Sequence, residues 1–177
     1  MLVLDEAHAV LGPEPPVLDG LDLVRVGTLS KALGSLGGFV AASAPWIDLL
    51  VNRARPLIFT TALSPADAGA ALAAVRVCCS AEGDRLRARV REVIDRVAPG
   101  APSPILPVVL GDEDVAVAAA AALLERGLLV PAIRPPTVAP GTCRLRVALS
   151  AAHTDEQLDR LLAALDDVAP GALHAHA

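Results

Sequence analysis

The sequence is poor in the residue types that many binding surfaces need. Among 177 residues, aromatic side chains make up 2%, tyrosine is absent, and the formal net charge is −5. Base stacking needs aromatic rings and phosphate binding needs a basic surface, so the composition argues against a nucleic-acid-binding protein. Cys78, Cys79 and Cys143 are odd in number and lack metal-ligand spacing. They are typical of reduced cytosolic thiols rather than of disulfides or a metal site.

Long uncharged apolar runs are also missing. No run reaches the roughly 18 residues that a membrane helix needs, and no basic, apolar, small-residue signal peptide precedes the fold. Hydrophobic residues still make up 54% of the chain, which is enough for a core in one large or two small domains. We therefore expect a cytoplasmic protein that does not associate with a membrane.

Lysine is the scarcest charged residue. Lys31 stands alone against fourteen arginines. A guanidinium stays protonated under almost any condition, whereas an ammonium can lose its proton and attack a carbonyl. The count alone leaves two interpretations open: a chance surface lysine, or a position where a primary amine is required.

Polar side chains follow two predicted strands. An apolar run ends at Asp5, with His8 three residues later, and favours the end of a buried strand. Residues 21–26 predict a second strand that delivers Thr28 and Lys31 into the loop after it. Ligands of open α/β sheets bind at the carboxyl edge of the strands. The sequence therefore predicts one crevice that holds an acid, an imidazole, a hydroxyl and the only side-chain amine.

Several motifs in a fixed order extend this pattern along nearly the whole chain. Together they resemble the α-oxoamine synthase family of fold-type-I pyridoxal-phosphate enzymes. The motifs are Asp5-Glu6-Ala7-His8, Gly27-Thr28-Leu29-Ser30-Lys31-Ala32-Leu33-Gly34, Gly37-Gly38, Phe59-Thr60-Thr61-Ala62, Ile133-Arg134-Pro135-Pro136-Thr137-Val138 and Arg144-Leu145-Arg146.

The resemblance implies pyridoxal 5'-phosphate as the cofactor and assigns three catalytic residues. Asp5 would keep a proton on the cofactor's ring nitrogen through a charge-assisted hydrogen bond. His8 would contact the ring's phenolic oxygen or the substrate side of the cofactor. Lys31 would form the Schiff base with the cofactor and then move the substrate's α-proton.

The resemblance also implies binding residues. Thr28 would hydrogen-bond the phosphate, and Thr60 or Thr61 would reach the phosphate of a neighbouring subunit. Thr137 would line the substrate pocket, and Arg146 would hold the amino acid's carboxylate in a bidentate fork.

The implied activity is a decarboxylative condensation. The stretch from Arg134 to Val138 most resembles the biotin-pathway members, which condense L-alanine with a pimeloyl thioester. Glycine-using members of the family and a non-catalytic fragment are the alternatives. The implied partners are these small molecules and a second subunit of a homodimer, with the active site at the interface.

The implied fold class is α/β, a fold-type-I pyridoxal-phosphate-dependent transferase represented by its C-terminal half. We expect the later part of the large domain's mostly parallel sheet, a connecting helix and linker, a small C-terminal α/β domain and a flexible tail. The predicted boundaries are residues 1–75, 76–104, 105–170 and 171–177.

Each site residue has a simpler interpretation. Asp5 and Glu6 could terminate a strand, and His8 could be structural. Thr60 and Thr61 could bond the backbone of their loop. Arg144 alternates with Arg146 on one strand face, so one of the two could be an ion-pair partner.

A strand ending in Asp5-Glu6-Ala7-His8 also fits the metal-binding motif of DEAH-type helicases. Such proteins need a Gly-x-x-x-x-Gly-Lys-Ser/Thr loop, and no such spacing occurs here. Arg85, Arg87, Arg89 and Arg91 lie between two pairs of acids, Glu82 with Asp84 and Glu92 with Asp95, and indicate a solvated helix face rather than a basic patch.

Start and stop signals predict the remaining elements. They are a helix from Ser43 to about Arg55 with Trp46, Leu49 and Leu50 inward, a helix from Ser64 to about Val77, an amphipathic helix with Leu86, Val90, Val93, Ile94 and Val97, a break over 98–104, a strand over 105–110, a helix over 112–126, strands over 128–133 and 143–149, and a final helix capped by Thr154 and Gln157 with Leu158, Leu161, Leu162 and Leu165 buried.

Overall fold

The computed structural model describes residues 1–12 and 19–171. Residues 172–177, most of the predicted tail, lie outside the described residues. The chain divides into two compact units, Met1–Asp84 and Arg85–Ala177. The elements are β1 (Leu2–Asp5), β2 (Leu23–Thr28), β3 (Gly38–Ala41), α1 (Ala44–Arg53), α2 (Arg55–Ile58), α3 (Pro65–Cys78), α4 (Ala81–Val97), β4 (Ile105–Gly111), α5 (Glu113–Glu125), β5 (Ala132–Ile133), β6 (Cys143–Ala148) and α6 (Asp155–Val168).

The first unit contains a three-stranded sheet in the order β1-β2-β3. β1 and β2 are parallel, with Leu2 opposite Leu23 and Asp5 opposite Val26, so both strands end at the same edge. The predicted burial of β1 is wrong: Val3 is 52% exposed. The reason is that β2 is the only described strand that pairs with β1.

β2 has the predicted length but begins and ends two residues later than the sequence predicted, and β3 was not predicted. Thr28 is the last residue of β2 rather than part of the following loop, because it pairs with Gly38 of antiparallel β3. The glycines that hid β3 in the sequence have a packing role here. The Phe39 ring lies over Gly27, where an added Cβ would come within 2.3 Å of it.

The helices of the first unit follow their proline signals. α1 has Pro45 in its first turn, although the Ser43 side chain does not cap it, and α1 ends at Arg53, two residues early. Trp46 and Leu50 are half-buried, but Leu49 is 48% exposed, so its predicted inward position is wrong. The predicted cap of α3 is confirmed, since Ser64 Oγ accepts a hydrogen bond from the Asp67 N–H at 3.1 Å.

The second unit contains an antiparallel sheet in the order β4-β6-β5, with α5 packed on it and against α6. β6 alternates: Cys143, Leu145 and Val147 point into the core, while Arg144 and Arg146 lie on the other face. The core cluster is made by residues of α4, α5, α6 and the sheet, including Val93, Ile94, Val97, Leu106, Val108, Leu123, Leu145, Val147, Leu158 and Leu165.

Most predicted features of this unit are confirmed. Thr154 and Gln157 form the capping box of α6, which stabilises a helix by about 1 kcal/mol. Arg89 is not simply solvated, because it donates to the Asp155 carboxylate at 2.7 Å and so ties α4 to α6. Two predictions are wrong. Leu86 is 44% exposed, and β5 spans Ala132–Ile133 only, because Pro131 before it has no N–H to donate.

Candidate active site

The predicted acid lies at the carboxyl edge of the first sheet. Asp5 ends β1, opposite Val26 near the end of β2, and its side chain is exposed. The Ala7 N–H donates to Asp5 Oδ1 at 3.0 Å, which fixes the carboxylate over the turn that follows the strand. Asp5 Oδ2 has no hydrogen bond from the described residues and remains available to a ligand.

Glu6, the next residue, is buried and paired. Its carboxylate accepts two hydrogen bonds from Arg25, from Nε at 2.7 Å and from Nη2 at 3.0 Å. The Glu6 N–H donates to the Val26 carbonyl at 2.8 Å, so both its backbone and its side chain fasten β1 to β2. Because Glu6 is held in this way, a metal-binding role of the helicase type is not supported.

The sequence interpretation missed Arg25. The available signal was a single charge inside the apolar run Leu23-Val24-Arg25-Val26, since an arginine in a strand of that kind needs a partner. Glu6 on the neighbouring strand is that partner.

His8 lies in the turn that follows β1, and its side chain is exposed. No described residue hydrogen-bonds to its imidazole. The ring is therefore free to serve a ligand at this edge, but no contact within the described structure fixes its orientation.

The Thr28 hydroxyl belongs to a local network. Thr28 Oγ1 lies 2.8 Å from Ser30 Oγ and 3.1 Å from the Gly37 carbonyl, and it accepts from the Ser30 N–H at 3.2 Å. A threonine has one hydroxyl proton, so Thr28 could donate to a phosphate only by giving up one of these partners. Ser30, which is exposed, is a second hydroxyl at the same position.

Lys31 lies on a short loop that the backbone closes tightly. The Leu29 N–H donates to the Gly37 carbonyl at 2.9 Å, and the Ser35 N–H donates to the Leu29 carbonyl at 2.8 Å. Gly34 has φ +60° and Gly37 has φ +112°, conformations that other residues adopt at a cost. The loop therefore holds a defined shape.

The Lys31 side chain itself is exposed, and no described residue forms an ion pair or a hydrogen bond with its ammonium group. A surface lysine placed for stability would be expected near a carboxylate. Lys31 instead leaves its amine available, three residues beyond Thr28, the last residue of β2.

Thr60 and Thr61 lie in the segment between α2 and α3, and both are exposed. Thr60 Oγ1 donates weakly to the Thr61 carbonyl at 3.4 Å. Leu63 of the same segment lies against Gly37, where an added Cβ would be 2.7 Å from Leu63 Cδ1. The segment thus contacts the end of the Lys31 loop, although neither threonine hydroxyl bonds to that loop.

The two remaining predicted residues belong to the second unit. Arg144 Nε donates to the Thr142 carbonyl at 2.9 Å, while the Arg146 guanidinium has no partner among the described residues and is exposed. Of the pair, Arg146 is the one available to bind a carboxylate. Thr137 is exposed in the loop after β5, where its N–H donates to the Arg134 carbonyl at 3.0 Å.

A shallow cavity of about 360 Å³ opens in the second unit. Neither Thr137 nor Arg146 lines it, so it is not the predicted carboxylate site. Its lining residues are Gly111, Asp112, Glu113, Pro135, Pro140, Gly141 and Cys143.

Within residues 1–12 and 19–171, no three His, Cys, Asp or Glu side chains are grouped to hold a metal ion. No helix in the same ranges is long and apolar enough to cross a membrane.

The sequence matches known proteins over nearly its whole length. Residues 1–165 match the family described as aminotransferase class I and II. The chain is 50% identical to the 8-amino-7-oxononanoate synthase of Anaeromyxobacter dehalogenans strain 2CP-C, over 97% of this chain and 47% of that protein. It is 49% identical to the synthase of the same name from Methylorubrum extorquens strain PA1, over 98% of this chain and 45% of that protein. The chain thus spans about half the length of the curated relatives it matches.

Solved structures show the same fold. The serine palmitoyltransferase of Sphingomonas wittichii superposes with a TM-score of 0.79 at 30% identity, over 97% of this chain and 48% of that one. The 8-amino-7-oxononanoate synthase of Francisella tularensis superposes with a TM-score of 0.68 at 26% identity, over 88% and 47%. The predicted fold class, that of fold-type-I pyridoxal-phosphate enzymes, is confirmed.

Proposed function

Because the chain belongs to the aminotransferase class I and II family, we propose that it supplies half of a pyridoxal-5'-phosphate-dependent acyltransferase. The proposed reaction condenses L-alanine with a pimeloyl thioester, such as pimeloyl-CoA, to give 8-amino-7-oxononanoate with release of CO₂ and the thiol. The observation that carries the proposal is Lys31. It is the only lysine of the chain, no described residue pairs with its amine, and it lies three residues beyond the end of β2, the strand that runs parallel to β1.

The residues fit the cofactor. A carboxylate with one free oxygen, an unpaired primary amine and two hydroxyls occupy the carboxyl edge of one sheet. These are the groups needed for a ring nitrogen, an aldehyde carbon and a phosphate. When bound, pyridoxal phosphate supplies an electron sink for the bond broken at the α-carbon of the amino acid.

Each site residue of the first unit is proposed to have a separate role toward the cofactor or the substrate. Asp5 Oδ2 would accept a hydrogen bond from the cofactor's ring nitrogen, a charged interaction of roughly 1.5–3 kcal/mol. Lys31 Nζ would hold the cofactor as a Schiff base and would serve as the base for the substrate's α-proton. His8 orients the ring oxygen or the substrate. Thr28, with Ser30 beside it, holds the phosphate.

Arg146 and Thr137 are proposed to bind the substrate. The unpaired guanidinium of Arg146 can form two parallel hydrogen bonds to the carboxylate of the amino acid. Thr137 lies in the Arg134–Val138 stretch and is proposed to line the acyl side of the pocket.

Sequence identity supports the proposed choice of substrates. The serine palmitoyltransferases superpose with the higher TM-scores, but they are about 30% identical to this chain. The 8-amino-7-oxononanoate synthases reach 50% identity. Fold similarity reflects the shared scaffold, whereas pocket residues change with substrate, so the higher identity favours alanine and a pimeloyl thioester.

The assembly proposed is a homodimer with the site at its interface. Thr60 and Thr61 are exposed, and the Thr61 hydroxyl has no hydrogen-bond partner among the described residues. In the proposed dimer one of these hydroxyls reaches the phosphate bound by the other subunit.

The experiment that tests the proposal uses a full-length chimera, in which this chain replaces the matching half of the A. dehalogenans synthase. Borohydride reduction in the presence of pyridoxal phosphate is expected to leave a pyridoxyl group on Lys31. Lys31→Arg keeps the charge but removes the primary amine. It should abolish that label and lower kcat by roughly 10²–10⁴-fold or more.

Arg53→Lys is the matched control, because it adds an exposed lysine at the end of α1, outside the motifs that contain the predicted site residues. Peptide mapping should find little label on the new lysine. Equal labelling of the lysines at positions 31 and 53 would contradict the proposal. Alanine should also give a higher kcat/KM than glycine in the same assay, and a reversal would point to a glycine-using relative.

The 177-residue chain by itself is expected to bind pyridoxal phosphate weakly and to be inactive, because it spans about half of the relatives' length. Titration of the cofactor absorption band and a turnover assay with alanine and pimeloyl-CoA check this. Robust turnover by the chain alone would contradict it.

A further inference from the structure

The ion pair between Glu6 and Arg25 is the one place where the described chain buries a charge. Glu6 is 8% exposed, and no other charged residue within residues 1–12 and 19–171 is buried. Its carboxylate accepts hydrogen bonds from Arg25 Nε at 2.7 Å and from Nη2 at 3.0 Å. A buried ion pair is a poor source of stability, because well-packed apolar side chains of similar volume are often as stable or more stable. The place that the pair occupies is therefore more informative than its strength.

Arg25 is a rigid point from which to hold Glu6. β2 is the middle strand of its sheet, and Arg25 lies opposite Leu4 of β1 on one side and Ala41 of β3 on the other. Its guanidinium is planar, and two parallel hydrogen bonds to one carboxylate fix a direction as well as a distance. The Glu6 side chain is therefore held in one orientation relative to β2.

Glu6 belongs to the turn that carries two predicted site residues. Asp5 lies directly before it and His8 two residues after it. The Glu6 carbonyl accepts a hydrogen bond from the Ala9 N–H at 2.9 Å, and the Ala7 N–H donates to Asp5 Oδ1 at 3.0 Å. No described side chain outside the turn hydrogen-bonds to Asp5 or His8. The directions of these two side chains therefore depend on the turn that Glu6 anchors.

The pair also connects two parts of the predicted site. β2 leads from Arg25 into the loop that carries Lys31, while the turn with Glu6 follows the neighbouring parallel strand. The two hydrogen bonds from Arg25 therefore join the turn that holds the acid to the strand that leads to the amine.

We propose that Arg25 is a positioning residue. Through Glu6 it holds the turn after β1, so that Asp5 and His8 keep their places relative to Lys31. Arg25 itself contacts neither cofactor nor substrate in this arrangement. The inference rests on the function proposed above, in which Asp5, His8 and Lys31 meet the cofactor.

The test uses the full-length chimera with the A. dehalogenans synthase and a double substitution. Glu6→Leu with Arg25→Met replaces the ion pair by apolar side chains of similar length, and such replacements usually leave a protein folded. Urea unfolding of the chimera checks that the variant is folded. A role in stability alone predicts that this variant behaves like the unsubstituted chimera.

The first readout needs no cofactor. Hydrogen exchange followed by mass spectrometry should show residues 6–12 exchanging about tenfold faster or more in the double variant, because the turn has lost its anchor. Residues 23–28 of β2 should keep their protection, since the strand remains paired with β1 and β3.

The second readout is turnover with the cofactor bound. A displaced acid and imidazole should lower kcat by roughly 10–100-fold. The KM for alanine should change less than about threefold, because the carboxylate of alanine is proposed to be bound by Arg146. A loss of folded protein alone would lower the amount of active enzyme without changing the exchange of the turn in the folded fraction.

A second ion pair gives a matched control. Arg91 and Asp95 form the same fork, with Nε at 3.1 Å and Nη2 at 2.7 Å, but both lie on α4 and are exposed. Arg91→Met with Asp95→Leu should leave exchange of the turn and kcat within about twofold. Arg25→Lys keeps the charge but not the fork, so its effects should lie between those of the double variant and the unsubstituted chimera.

Two results would overturn the inference: unchanged exchange of residues 6–12 in the folded double variant, or a kcat within about twofold of the unsubstituted chimera. If the double variant does not fold, the same readouts on Arg25→Lys decide, and values equal to those of the unsubstituted chimera overturn the inference. An unlabelled Lys31 in the unsubstituted chimera would instead contradict the proposed function. The exchange result would still decide whether Arg25 fixes the turn.

Discussion

The two units of this chain are similar in length but differ in how much apolar surface they bury. Eighteen of the twenty-one buried hydrophobic residues among the described residues belong to the second unit, and fifteen of the twenty-one exposed large hydrophobic residues belong to the first. The difference does not come from composition, since both units are rich in Leu, Val and Ala. It comes from layering: in the second unit α5 covers an antiparallel sheet and packs on α6, whereas β2 is the only described strand that pairs with β1 in the first unit.

The second unit therefore has a core of its own, whereas the first leaves most of its large hydrophobic side chains exposed. At about 25 cal/mol per Å² of buried apolar area, the second unit gains most of the hydrophobic stabilisation available within this chain. The first unit retains the predicted cofactor residues but little core. Separate measurements of the two units test this view, because Trp46 is the only tryptophan and lies in the first unit.

The largest effect is expected from the core of the second unit. Leu145 is fully buried in β6, so Leu145→Ala should lower the free energy of unfolding by roughly 2–5 kcal/mol. Urea unfolding followed by far-UV circular dichroism should show this loss, while the Trp46 fluorescence transition stays in place. Leu129→Ala, at a residue that is 82% exposed, is the control and should change little. A shift of the Trp46 transition by Leu145→Ala would mean that the units do not unfold separately.

The second-largest effect is expected in the first unit, at the ion pair between Glu6 and Arg25. Glu6→Gln keeps the size of the side chain but removes the charge that Arg25 binds through two hydrogen bonds. A loss of roughly 1.5–3 kcal/mol is expected in the Trp46 fluorescence transition. Glu113→Gln is the matched control, since Glu113 pairs with Arg134 on an exposed surface and such pairs contribute about 0–1 kcal/mol. Equal effects would contradict the different burial of the two pairs.

A smaller effect is expected at the loop that carries Lys31. Gly34→Ala places a side chain at φ +60° and should destabilise the first unit by about 1–2 kcal/mol, although there is space for the methyl group. Gly69→Ala lies inside α3, also with space around it, and should instead stabilise by about 0.5–1 kcal/mol. Opposite signs in the Trp46 transition would show that backbone conformation rather than added volume controls the effect.

The smallest effect is a pH dependence in the second unit. A hydrogen bond from Arg89 lowers the pKa of the Asp155 carboxyl below its ordinary value of 3.8. Since the folded-state pKa is the lower one, the contribution is complete above the unfolded value and is lost as the pH falls through the folded value. Stability measured by circular dichroism between pH 5 and pH 2 should decline less steeply in Asp155→Asn, and an unchanged slope would contradict this origin.

Local signals predicted the second unit well because its elements are set by neighbours in sequence. Thr154 and Gln157 cap α6, Asp112 caps α5 and Gly127 ends it, so the capping residues alone fix these bounds to within one or two residues. The prediction of a strand over 128–133 was wrong because Pro131 restricts the ladder to two residues.

The first unit was predicted less well because its features depend on long-range pairing. In the sequence, the glycines before β3 indicate a loop. Only the contact of Phe39 with Gly27 on the neighbouring strand identifies the segment as a strand. The Glu6–Arg25 pair joins residues nineteen positions apart and has no local signal. The positions of Asp5 and Lys31 at one sheet edge did follow from the sequence, since strand ends are local. The chemical roles assigned to them remain predictions.

Because residues alternate along β1, the side chain and the backbone N–H of Asp5 point in different directions. Its carboxylate lies over the turn at the ligand-binding edge, held by the Ala7 N–H, while its backbone N–H points away from β2. One residue therefore links the carboxylate proposed to meet the cofactor to the pairing of β1, so a change in that pairing would also move the acid.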